Sequence, residues 1–130
     1  MRKVLWVILG FGILLALAAC SASGSTEPAP TKAPVSISLE TDPELAVVGD
    51  VELRFTVVDQ NGQPISAADF DVFADHTDHS GMTLHGKATD QGNGLYAITA
   101  NFSMSGNWKL SVQVKKDTLD YKEDIPLKIQ

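Results

Sequence analysis

The sequence predicts an all-β domain, an immunoglobulin-like sandwich of about seven short strands over residues 35–130. Three observations carry this reading. From Val35 onward apolar residues recur at every second position, Gly-, Asn- and Pro-bearing turns separate the alternating segments, and no stretch of this part carries a helical stripe. Successive strand side chains point to opposite faces, so period two means one buried face and one wet face.

Val35, Ile37 and Leu39, alternating with serines, form the first strand. Val51, Leu53, Phe55 and Val57 alternate with Glu52, Arg54 and Thr56 in the second, which ends at the turn Asp59-Gln60-Asn61-Gly62-Gln63-Pro64. Strands are expected over 69–75 and 84–90, followed by the turn Asp90-Gln91-Gly92-Asn93-Gly94. Tyr96, Ile98, Ala100 and Phe102 face inward from the next strand, and Trp108, Leu110, Val112 and Val114 from the one after Ser105-Gly106-Asn107. Tyr96 and Trp108 read as core residues, because aromatics at inward positions supply buried area. Tyr121, Ile125, Leu127 and Ile129 form a last, less regular strand in which Pro126 marks an edge or bulge. If successive strands run antiparallel, the loop after Ala74 and the turn holding Met104 share one end of the sandwich. Val35 then enters at the other.

The N-terminus reads differently. Arg2 and Lys3 precede the uncharged apolar run Val4 to Leu17, after which come Ala18, Ala19, Cys20, Ser21, Ala22 and Ser23. A spanning helix needs roughly 20 apolar residues and a signal h-region about 7–15. Residues 1–19 are therefore expected to be a secretory signal peptide. The stretch Leu17-Ala18-Ala19-Cys20 resembles the lipobox of bacterial lipoproteins. That resemblance implies cleavage before Cys20 and lipidation of its thiol, since two or three acyl chains anchor stably where one is marginal. It places the protein on the extracytoplasmic face of the cell membrane, or on an outer membrane where the cell has one. Cys20 is the only cysteine, so no intramolecular disulfide forms. Residues 20–34, rich in Ser, Ala and Pro with no large apolar side chain, read as a flexible tether.

The formal charge is -6, and loss of Arg2 and Lys3 with the signal takes it to -8. This excludes nucleic acid as a partner and argues against docking on anionic headgroups through basic patches. The membrane partner is reached through lipid. No Gly-x-Ser-x-Gly elbow or phosphate-cradling glycine loop occurs, and the carboxylates are scattered, so the chain does not read as an enzyme.

All three histidines fall in His76-Thr77-Asp78-His79-Ser80-Gly81-Met82-Thr83-Leu84-His85. His76, His79, Met82 and His85 recur at every third residue, and the parity argument adds Met104. Imidazole and thioether donors together suit copper, as Cu(I) or Cu(II), ahead of zinc. Asp75 and Asp78 are placed to orient an imidazole through its second nitrogen. On the plainer reading the segment is a solvated connection in which Met82 and Leu84 fill a satellite core.

From about Phe70 to Lys115 the sequence resembles the YtkA-like domain, related to the FixH-like proteins. His79, Met82 and His85 match its loop, Gly94-Leu95-Tyr96 its Gly-x-Tyr strand start, Met104 its turn, and Gly106-Asn107-Trp108-Lys109-Leu110 its Gly-x-Trp-x-Leu strand. The resemblance implies an extracytoplasmic Ig-like domain associated with copper supply and copper tolerance. A copper-donating or copper-receiving protein is the implied partner. The loop is richer in histidine and poorer in methionine than the copper-associated members, which leaves Cu(I), Cu(II) and zinc open. The alternative function is a metal-free Ig-like interaction or structural module on the cell surface.

Overall fold

Alternation from Val35 onward becomes eight strands in the computed structural model, which describes residues 33–130. The expected signal peptide, Cys20 and all but the last two residues of the 20–34 tether lie outside the described residues. The strands are β1 (Val35–Asp42), β2 (Gly49–Asp59), β3 (Asp69–His76), β4 (Thr83–Lys87), β5 (Thr89–Gly92), β6 (Leu95–Phe102), β7 (Gly106–Lys116) and β8 (Leu119–Ile129). They form two antiparallel sheets, ordered β1-β2-β6-β5 and β4-β3-β7-β8. The first order is that of the four-stranded sheet of an immunoglobulin constant-type domain. The second is its three-stranded partner with β4 added beside β3.

Eight strands rather than seven arise from one segment. Residues 84–90, expected as a single strand, change sheets at Ala88. Its N–H donates to the Phe70 carbonyl at 2.9 Å, so β4 pairs with β3 while β5 goes across to β6. Pro126 sits in β8, which pairs only with β7 and is therefore an edge strand, where a missing N–H is tolerated.

The inner faces meet in one core. Leu53, Phe55 and Val57 of β2, Phe70 and Val72 of β3, Tyr96 and Phe102 of β6, and Leu110, Val112 and Val114 of β7 are all buried. Phe70 lies between Phe55 and Tyr96, with ring centroids 4.9 and 5.0 Å away. Each ring removes a large apolar area from water, and this burial is the main favourable term of folding.

Register sets the two ends of the sandwich. Val35 pairs with Asp59, Asp42 with Glu52, and Gly49 with Phe102. Val35 thus stands at one end, beside the 60–68 loop. Phe102 and the turn after it stand at the other. At the Val35 end the Tyr96 hydroxyl donates to the Ile65 carbonyl at 2.7 Å and accepts the Ala68 N–H at 3.1 Å. Gly94 adopts φ +75° there, and a Cβ would come 2.5 Å from the Val57 carbonyl oxygen, so no larger residue fits. The Asp90 carboxylate accepts the N–H groups of Gly92 and Ala67, which hold its pKa below the usual carboxylate value.

Two outcomes are expected. Tyr96→Phe leaves the Ile65 carbonyl and the Ala68 amide without their partner and destabilises by about 1–3 kcal/mol in urea unfolding. Asp90 has a folded pKa below its unfolded value of about 3.9, so its stabilisation is present above that pH and is lost as pH falls toward the folded pKa. The urea midpoints of the wild type and Asp90→Asn should therefore differ most near neutrality and converge in acid.

Candidate functional site

The end away from Val35 is organised around His76. It closes β3 on the inward parity of Val72 and Ala74, and at 6% exposure it is, Tyr and Trp aside, the one buried polar side chain among the described residues. The Nε2 atom lies 3.0 Å from the Ser105 carbonyl, which can only accept, so the proton sits on Nε2. That leaves Nδ1 to accept the Asp78 N–H at 3.2 Å. Both ring nitrogens are engaged, as a buried imidazole requires.

The ring also meets Trp108 edge-on, with centroids 5.0 Å apart at 71°, and Trp108 meets Phe102 in the same manner. Trp108 Nε1–H donates to the Met104 carbonyl at 3.1 Å. The His76 N–H donates to the Met82 carbonyl at 3.0 Å, and both the N–H and the hydroxyl of Thr77 donate to the Asn107 carbonyl at 2.9 Å. The 77–82 loop and the 103–105 turn are thus fastened to one His76–Trp108 pair. Gly106 permits this: its φ is +126°, and a Cβ there would lie 2.7 Å from His76 Nε2.

The parity argument therefore holds for Met104, whose main chain is brought beside the loop holding Met82. Both methionine side chains are half-buried, and Met82 packs against the core. His79 is exposed, with its ring centroid 5.0 Å from that of His76. His79, Met82 and Met104 share this tip with His76.

The structure does not bring His85 to them. Thr83 already begins β4, so the pleat directs the side chains from there on. His85 pairs with Phe73, three residues before His76 in β3, and an odd separation along a strand means opposite faces. Its ring stacks on exposed Phe73 at 4.1 Å and 11°, with Nε2 3.8 Å from Asp71 Oδ1. Three-residue spacing suggested one cluster, but the loop ends at Met82.

The partners of the imidazoles also differ from expectation. His76 is oriented by the Ser105 carbonyl and the Asp78 amide, not by the carboxylates of Asp75 and Asp78. Main-chain partners leave no trace in residue spacing, although Ser105-Gly106 as a turn beside a strand start was the available hint. Among the described residues no three His, Cys, Asp or Glu side chains are grouped to hold a metal. Any metal at the tip would rely on thioether sulfur beside imidazole.

Comparison with known proteins gives one family. The family model described as YtkA-like matches residues 31–113, from before β1 into β7. The match is wider than the Phe70 to Lys115 segment that carried the resemblance. Among solved structures, the chain is similar to MtrC from Shewanella baltica OS185, with a TM-score of 0.49 and 12% identity over 73% of this chain. This chain spans 22% of that one. No curated protein matches.

The geometry separates two histidines that look alike in sequence. His76→Leu removes the partners of Ser105 and Asp78 and should cost about 1–3 kcal/mol in thermal or urea unfolding. His79→Ala, at an exposed loop position, should change stability by about 0.5 kcal/mol or less.

Proposed function

The chain belongs to the YtkA-like family, and on that footing we propose that it binds copper, as Cu(I), at the tip made by the 77–82 loop and the 103–105 turn. It holds or passes the metal and turns over no substrate. The observation that carries this reading is the His76–Trp108 pair, which brings the Met82 and Met104 segments together beside exposed His79.

His79, Met82 and Met104 are the proposed ligands. Thioether and imidazole are the donors Cu(I) prefers, whereas a structural zinc site wants four nitrogen, sulfur or carboxylate ligands. His76 serves first as the frame, and to join the metal through Nδ1 it would have to release the Asp78 amide. His85 belongs to a different surface. On the lipoprotein reading Cys20 anchors the chain to the membrane, and Val35 enters at the end opposite the tip. The copper site would then face away from the bilayer, toward a protein that donates or receives the metal.

A second reading has its own observation. Leu45, Val47 and Val48 are exposed together in the β1–β2 loop, which Gln130 ties down at the same end as the tip. An exposed aliphatic cluster of this kind suits a protein-interaction module that needs no metal.

Competition of the exported, non-lipidated chain against a Cu(I) chelator under reductant distinguishes the readings. Saturable binding is expected, weakened by about tenfold or more in His79→Ala and in Met82→Leu with Met104→Leu, and unchanged in His85→Ala. Absence of saturable binding, or equal affinity in all variants, removes the copper reading. A partner retained after chelation and lost in Leu45→Ser with Val48→Ser would establish the alternative.

A further inference from the structure

We infer that the free edge of β1, a surface separate from the tip, takes up an extended segment of another protein as an added strand. The segment it fits alternates apolar side chains and carries a lysine or arginine among them. The backbone of β1, the groove beside it and the charges around it each point there.

The edge strands of the two sheets are β1, β5, β4 and β8. An edge templates pairing with another chain unless short length, a bulge, proline or inward-pointing charge blocks it. All but β1 carry such a block. β4 has five residues, and β5 has four, with a register slip between Asp90 and Gly92. β8 holds Pro126, and Glu123 shares its inward parity with Ile125 and Leu127. The eight residues of β1 pair with β2 in unbroken register and include no proline, glycine or lysine. In an antiparallel ladder every second residue turns its N–H and C=O away from the partner strand. Among the described residues, nothing bonds those groups of Ser36 to Glu40 from the open side.

The added strand has apolar surface to cover. β1 and β8 flank one groove, lined by Leu39, Thr41, Glu44, Ile125 and Leu127. Ile37, Leu39, Tyr121, Ile125 and Leu127 are only partly buried along this side of the sandwich. The pleat carries over to each strand of a sheet, so alternate side chains of a segment laid on β1 point into the groove. Main-chain bonds hold such a segment and the groove selects its alternate residues.

Charge identifies the occupant. Glu40, Glu44 and Glu123 stand on β1, the loop after it and β8, and none has a cation partner among the described residues. Arg54, next to Glu40 in the ladder, is held by Asp42 and Glu52. A second copy of β1 would bring no counter-charge, since Val35–Asp42 contains no lysine or arginine. The chain's own residues 28–34 include Pro28, Pro30 and Pro34, which lack the N–H that a ladder needs. A basic strand from a different protein satisfies both the ladder and the acids.

Hydrogen exchange read by NMR on the exported, non-lipidated chain tests this. The probe is a capped peptide of about eight residues, the length of β1, alternating valine and threonine with one central valine replaced by lysine. Saturable binding is expected, with exchange slowed at every second amide of β1. A peptide with proline at alternate positions should give no protection, and glutamate in place of the lysine should weaken binding by about tenfold or more. Glu44→Gln with Glu123→Gln should erase most of the preference for lysine while leaving the alternating protection of β1 in place. Absence of protection at about 1 mM peptide, protection confined to the Leu45 to Val48 loop, or equal binding of the lysine and glutamate peptides would overturn the inference. So would protection of β1 that grows with protein concentration alone, which would make a second copy the occupant.

Discussion

One buried imidazole holds the end of the sandwich away from Val35 together. His76 sits where a sandwich would ordinarily place an apolar residue, and it is tolerated because both nitrogens find main-chain partners. Those partners lie on different segments. Nδ1 accepts the Asp78 N–H of the 77–82 loop and Nε2–H donates to the Ser105 carbonyl of the 103–105 turn, so desolvating one ring fixes two connections at once. Trp108 extends the arrangement by donating to the Met104 carbonyl while meeting Phe102 and His76 in edge-on ring contacts. Gly106 supplies the clearance without which the ring could not approach. The same residue that would be the first candidate metal ligand in a spacing argument is therefore the one most committed to structure.

The pleat of β3 and β4 decides which of the other sequence-predicted residues stay at the tip. A loop can turn residues three apart toward one another, but a strand cannot, since its side chains alternate at period two. His79 and Met82 lie before β4 starts and stay with the tip, whereas His85 lies inside β4 and stacks on Phe73 outside the sheet. What remains at the tip is a soft and sparse set of one exposed imidazole and two thioethers. On the copper proposal such a set suits Cu(I), which tolerates sulfur donors, better than ions that demand several carboxylates or imidazoles.

The two ends of the sandwich are built by different means. At the Val35 end a buried tyrosine hydroxyl and the Asp90 carboxylate engage main-chain N–H and carbonyl groups of the 60–68 loop and the N–H of Gly92 at the end of β5. At the other end a histidine and a tryptophan do the collecting. Both devices solve one problem, the supply of partners to loop backbone at the margin of an apolar core.

Much of this was legible in the residues alone. Period-two alternation, turn chemistry and the absence of a helical stripe determined an all-β sandwich, the burial of Tyr96 and Trp108, an edge or bulge at Pro126 and, through strand parity, the shared end of the 76–82 and 103–105 segments. These follow from local rules, the pleat and the turn, which act over a few residues. Tertiary structure alone decided the crossing between sheets at Ala88, the outward turn of His85 and the engagement of both His76 ring nitrogens by main-chain groups. Each depends on which distant backbone atom lies opposite a given residue: Phe70 for Ala88, Phe73 for His85, Ser105 for His76. Such pairings are set by packing across the whole fold, and spacing along the chain does not encode them.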